Sequence, residues 1–150
     1  MKKIIAIALA TIMLVCCFAS CNSGSEKVKV IDIKLTDEEY AFAVQKGDAE
    51  LLAQLNAFMA EIKGNGKFDE IINKYFGDGT PTPVVSAETM KNDGSQLIVA
   101  TNAAFEPFEY KEGDKFAGID MEIAAHIATK LGMELVIEDM DFDSVVTSVG

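Results

Sequence analysis

Short apolar runs of strand length alternate along this chain with longer stretches whose apolar residues recur every three or four positions, and that alternation limits the fold more than any other feature. Leu97-Ile98-Val99-Ala100 reads as a strand, and residues 102–107 as a loop. Glu109-Tyr110 and Phe116-Ala117 flank the turn-forming Lys111-Glu112-Gly113-Asp114-Lys115, the pattern of a hairpin. Residues 120–131 set Ile123, Ala124, Ile127, Ala128 and Leu131 on one helical face and stop at Gly132. Leu135-Val136-Ile137 is a further strand, and a helix opens at Phe142. Upstream, residues 28–35 alternate apolar and polar as a strand does, and residues 40–44 form an apolar run with the length of a buried strand. Asp48 is placed to cap a helix carrying the stripe Leu51, Leu52, Leu55, Phe58, Met59 and Ile62, with Gly64 as its stop. A shorter helix follows, with Phe68, Ile71, Ile72, Tyr75 and Phe76 on one face and Gly77 at its end. Strands alternating with amphipathic helices bury both faces of a sheet, so the prediction is an α/β domain with a mainly parallel sheet. Residues 78–96, rich in Gly, Pro, Ser and Thr and without a period, read as a flexible linker between two halves.

The ends and the charge restrict where such a domain works. Met1-Lys2-Lys3 is a short basic start, residues 4–19 are an almost unbroken apolar run, and Asn22 onward is polar. That is the layout of a secretory signal peptide over residues 1–20; a transmembrane helix is the other reading, for which the run is slightly short. The formal net charge is −11, with all 24 acids beyond residue 21. Nucleic acid and anionic bilayer surfaces are therefore poor partners. All 13 basic residues are lysines, so the bidentate carboxylate clamp that arginine supplies is absent.

Little in the chain points to catalysis. The one histidine, His126, shares a helical face with Glu122, Thr129 and Lys130 and reads as solvated. No Cys/His spacing suits a metal, no Gly-rich phosphate loop is present, and no nucleophile elbow frames a serine. Asp37-Glu38-Glu39 and Asp139, Asp141 and Asp143 read as exposed faces or caps rather than acid/base pairs. Neither a cofactor nor a metal is expected.

Two resemblances sharpen this. Phe18-Ala19-Ser20-Cys21 is similar to the end of a bacterial lipoprotein signal, with Cys21 as the lipidated residue, Phe18 standing where Leu is usual, and residues 21–27 as a lipid-anchored tether. Cys16 and Cys17 would leave with the leader, and no disulfide is expected. Gly118-Ile119-Asp120-Met121-Glu122-Ile123, with Ile127-Ala128 and Leu131, resembles the signature of solute-binding protein family 3, the polar amino-acid binding proteins of ABC importers. The run from Leu97 through Asn102-Ala103-Ala104-Phe105-Glu106-Pro107-Phe108-Glu109-Tyr110 resembles that family's first strand and ligand loop, and Met140-Asp141-Phe142 its second.

Residues 28–77 resemble the family's C-terminal end, with the hinge strand at 28–35, although they come first here. The order suggests a circular permutation in which residues 78–96 join old ends to residues 97–150; a tandem fusion or a gene fragment would give the same order. The resemblance implies a periplasmic-binding-protein-like lobe 1, with strand order 2-1-3-n-4, strand 3 missing and the second lobe absent. Residues 40–44 would be strand n. Strand 1 would then either pair directly with strand n or leave the halves loosely packed.

The resemblance also implies a function: a non-enzymatic, lipid-anchored receptor outside the cytoplasmic membrane that passes a polar amino acid to an ABC permease. Phe105 and Phe142 would wall the ligand and Asn102 would read its polar groups, although core packing is the plain structural alternative for both rings. The Arg and the acid that complete the family's site would lie beyond residue 150. Dehydratase-like enzymes and sensor domains use the same fold and are the alternatives.

Overall fold

The structure, a computed structural model, describes residues 31–33 and 38–150. The leader, Cys21, the tether and most of the strand expected at 28–35 lie outside the described residues. The chain divides into two units, Met1–Tyr40 and Ala41–Gly150. In the first, residues 31–33 and 38–40 are exposed and form no regular element.

Helix α1 is Ala49–Gly64 and α2 is Lys67–Phe76. Asp48 caps α1 as expected, its carboxylate accepting from the Leu51 amide at 3.0 Å. Strands β1 (Gln96–Thr101), β2 (Ala104–Phe105), β3 (Glu109–Glu112) and β4 (Lys115–Ala117) follow, then α3 (Ile119–Leu131), β5 (Glu134–Asp139) and α4 (Phe142–Ser148). β1 and β5 pair in parallel, Leu97 opposite Leu135 and Thr101 opposite Asp139. The hairpin β3–β4 turns at Gly113, whose φ of 62° suits the first position of a tight two-residue connection. β2 lies where the sequence predicts a loop; it adds antiparallel to β3 and makes a three-stranded sheet. Two residues are too few for a hydrophobic period to reveal.

Helix α3 is the centre of the packing. Ile119, Ile123 and Ile127 pack against Phe58, Ile62 and Ile71 of α1 and α2. Met121, Ala124 and Ala128 pack with Leu135 and Ile137 of β5, joined by Leu97 and Val99 of β1. A helix buried on two faces welds the segments on either side of residues 78–96 into one core, so the halves are not loosely packed. Nor does strand 1 pair with strand n. Residues 40–44 form no strand, because among the described residues no strand lies beside them and β1 pairs only with β5. Phe42 instead packs by its side chain against the helical core.

The segment read as a flexible linker is pinned. Val84 exchanges both backbone hydrogen bonds with Phe116 of β4 and is buried in the α3–β5 core. The Ala87 amide donates to the Leu135 carbonyl at 2.9 Å, and the Ser86 hydroxyl accepts from the Ile137 amide at 2.8 Å. The segment thereby borrows ladder bonds from two sheets, which composition cannot foretell.

One charged group sits inside this core. Glu122, 3% exposed, accepts from Lys74 Nζ at 2.6 Å, Tyr75 Oη at 2.7 Å and the Thr82 amide at 2.9 Å. Tyr75 Oη in turn accepts from the Gly118 amide at 3.0 Å. Burial and the Glu122 carboxylate push the Tyr75 phenol up, so it remains a donor. On the face of α3 that reads as solvated, Thr129 and Lys130 are exposed, but Glu122 is an ion-paired part of the interior. His126 on that face is half-buried, and burial, aided by Lys67, holds its pKa below the ordinary value. The start of α3 is seated by amides of Ile119 and Asp120 on the Pro107 and Phe108 carbonyls, both at 3.0 Å. Gly118 permits this: its φ is 127°, and a Cβ there would stand 2.0 Å from the Phe108 oxygen.

Removing a buried partner leaves the other charge uncompensated. Glu122→Ala strands Lys74, Tyr75 and the Thr82 amide, and is expected to cost about 3 kcal/mol in urea unfolding. A second expectation concerns pH. Burial pushes Glu109 up to about 7, with Asp120 nearby adding to the shift, and burial pushes Asp120 up to about 6. Glu109 Oε2 is buried, with no hydrogen-bond partner among the described residues. Both folded-state pKa values exceed the unfolded ones, so the native state binds more protons in this range. Stability should rise as pH falls from about 7.5 to 5, with His126, whose lowered pKa works in the opposite direction below its ordinary value, offsetting part of the rise. Asp139, Glu134, Glu70 and Asp93 are shifted down, so their loss of stabilisation comes below that window. Glu109→Gln should raise the melting temperature at pH 7.5 and flatten its rise toward pH 5.

Candidate binding site at the carboxyl ends of β1 and β5

Parallel strands expose unpaired backbone groups and diverging loops at their carboxyl ends, where open α/β sheets take ligands. β1 and β5 end side by side at Thr101 and Asp139. Beyond them lies an open groove of about 500 Å³, lined by Asn102, Ala103, Ala104, Asp139, Met140, Asp141 and Ser144. Asn102 is thus on the groove. Its amide Nδ2 donates to the Met140 carbonyl at 3.0 Å, so one of its donors is spent holding the two loops together. The Met140 amide returns to the Thr101 carbonyl at 2.9 Å. The two loops singled out in the sequence are therefore joined directly.

The aromatic residues stand differently. Phe105, on β2, stacks on Phe108 with centroids 5.4 Å apart and planes 18° apart; Phe108 meets Phe76 of α2 edge-on at 6.3 Å. Phe105 is 48% exposed, so plain core packing does not account for it. Phe142 is the first residue of α4 and 70% exposed, which also removes it from the core. Neither ring is among the residues lining the groove itself.

Asp139 is the residue that sequence reasoning passed over. Its sequence context reads as a cap or an exposed face, yet its Oδ1 accepts from the Ala103 amide at 3.0 Å and its Oδ2 meets Lys111 Nζ at 2.7 Å. The lysine and the amide hold its carboxyl below the usual carboxylate range, so it is ionised at neutral pH. A run of three alternate acids carries no signal that singles out its first member. Asp141 does precede α4 as a cap residue, without a side-chain cap bond.

A second groove, of about 360 Å³, lies between residues 82–85 and α3 and is lined by His126, Met133 and Leu135 among others. Its acid, Glu122, is already engaged by three donors. Among the described residues no group of His, Cys, Asp and Glu could hold a metal ion.

Comparison with known proteins places the chain in a family. Residues 3–78 and 97–150 match the family described as bacterial extracellular solute-binding proteins, family 3. Over 63 residues the chain is 46% identical to the arginine-binding extracellular protein ArtP of Bacillus subtilis, covering 39% of this chain and 25% of that protein. Over 48 residues it is 40% identical to the L-arginine-binding protein of Pseudomonas aeruginosa, covering 32% and 18%. Over 91 residues it is 31% identical to the membrane-bound lytic murein transglycosylase F of Desulfosudis oleivorans, covering 61% and 19%. The chain thus spans a quarter or less of the length of these relatives. No solved structure matches it significantly. The family match extends over most of the chain and includes both loops of the groove, and the chain belongs to the bacterial extracellular solute-binding proteins, family 3, a family of binding proteins rather than enzymes.

Proposed function

We propose that this chain is part of the extracytoplasmic, lipid-anchored substrate-binding component of an amino-acid ABC transporter, and that it carries one lobe's share of the site. The observation that carries this reading is the joining of Asn102 to the Met140 loop at the carboxyl ends of β1 and β5, within residues the family match covers. A polar amino acid suits the groove. Asn102 both donates and accepts, and the exposed faces of Phe105 and Phe142 favour an aliphatic stem or an ammonium group. Relatives named for arginine are consistent with that class. Loaded protein would dock on a membrane permease and release ligand as the closed state gives way to the open one.

The order of segments supports a circular permutation. The family match leaves out residues 79–96, the part that joins the C-terminal-type segment (28–77) to the N-terminal-type segment (97–150), while α3 closes one core with both. On this reading the cation for the ligand's α-carboxylate and the acid for its ammonium come from outside these 150 residues. Each such charge-assisted contact contributes about 1.5–3 kcal/mol, so the chain alone should bind in the millimolar range.

Titration of the chain with the twenty amino acids, followed by amide NMR, is expected to shift Asn102, Phe105 and Phe142 with a polar amino acid at millimolar concentration. Phe142→Ala should weaken that binding at least threefold, about 0.7 kcal/mol. No shift with any amino acid overturns the reading. For the anchor, palmitate labelling in a bacterial host should mark the wild type and spare Cys21→Ser. Equal labelling of the two would remove the lipid from the proposal.

A further inference from the structure

We propose that Asp139 and Lys111 are positioning residues that hold the loop of residues 101–105 in its ligand-facing shape, a role that rests on reading the groove at Asn102 as the amino-acid site. Among the described residues the two sheets share no ladder. At the groove, one carboxylate joins them. Asp139 ends β5, in the parallel sheet; its Oδ1 takes the Ala103 amide of the loop, and its Oδ2 takes Lys111 of β3, in the antiparallel sheet. β3 pairs with β2, which carries Phe105. The loop is therefore tied at two consecutive residues: through Asn102 to Met140, and through Ala103 to Asp139. The Ala104 amide closes a turn on the Asn102 carbonyl at 2.7 Å just after these ties.

Two features separate this role from direct ligand binding and from general stabilisation. Lys111 already neutralises Asp139, and its ammonium also lies 5.6 Å from the Phe116 ring centre, so the carboxylate is not a free acceptor for a ligand's ammonium. The pair is also part-exposed, with Lys111 at 53% and Asp139 at 30%, and such pairs add little to global stability. Its effect is local: it gives a loop amide a charged acceptor and fixes the spacing of the two sheets.

The test compares the full chain with its Asp139→Ala, Lys111→Ala and Lys111→Arg forms by amide hydrogen exchange, thermal melting and titration with L-arginine and L-glutamine. Lys130→Ala, which breaks the exposed pair with Glu61 between α3 and α1, is the control. Asp139→Ala is expected to speed exchange at Ala103 and Phe105 about tenfold or more, with β1 and β5 amides and the melting temperature held near wild type. Lys111→Ala should give a smaller increase, lessened further at high salt, and Lys111→Arg should restore protection. Affinity for whichever amino acid binds should fall about three- to tenfold in step with loop exchange. Unchanged exchange at 101–105 in Asp139→Ala overturns the proposal. So does lost binding without a loosened loop, which would make Asp139 a direct ligand contact. If the wild type binds neither amino acid, the transport reading is what suffers, and exchange alone still decides whether the clamp holds the loop.

Discussion

The two-sided burial of helix α3 is the constraint on which the rest of the structure depends. An amphipathic helix ordinarily buries one stripe; this one faces the helical pair α1–α2 with its isoleucines and the parallel sheet with Met121, Ala124 and Ala128. Small alanines contribute to the sheet side, and branched isoleucines to the helix side. Thr129 and Lys130 near the end of the helix remain exposed, but Glu122 near its start is buried. The acid is tolerated because Lys74, Tyr75 and the Thr82 amide surround it. Buried ion pairs add less to net stability than their bond lengths suggest, but they penalise any packing that separates the partners. Here the partners come from α2, α3 and the 78–96 segment, so the network fixes how those three pieces meet.

That arrangement positions the groove. With α3 seated on the Pro107 and Phe108 carbonyls, the strand β3 and its hairpin are set relative to β5. The parallel pair then ends where the loop bearing Asn102 begins. The aromatic contacts Phe76–Phe108–Phe105 run from the end of α2 to the loop, so the segment that comes first in the chain supports a loop that comes later. A family site assembled from residues far apart in sequence is thus served by a core that both segments share.

The segment 78–96 shows how composition misleads about mobility. Gly, Pro, Ser and Thr lower the cost of a turn, and they also leave amides and hydroxyls open to ladders that pass nearby. Val84 and Ser86 find such ladders on β4 and β5. Gln96 at the start of β1 binds the Thr89 carbonyl and the Lys91 amide, extending the attachment to the next strand. What reads as a tether is therefore part of the wall of the domain.

The sequence by itself determined the elements whose residues carry their own period or punctuation. Helix α3 is legible from its isoleucine and alanine spacing and from Gly132, α1 from its stripe and Asp48, the hairpin from Gly113, and the family from the Gly118–Ile123 signature. The loops at Asn102 and Met140 were legible too, because each directly follows a strand. Tertiary structure alone decided the rest, and the reason is the same in each case: the deciding partner is remote in the chain. Residues 40–44 have strand composition but no neighbouring strand among the described residues. Glu122 reads as solvated because helical spacing says nothing of a lysine and a tyrosine 48 and 47 positions away. Asp139 was one acid among three until an amide 36 residues upstream and the ammonium of Lys111 gave its carboxylate two fixed partners.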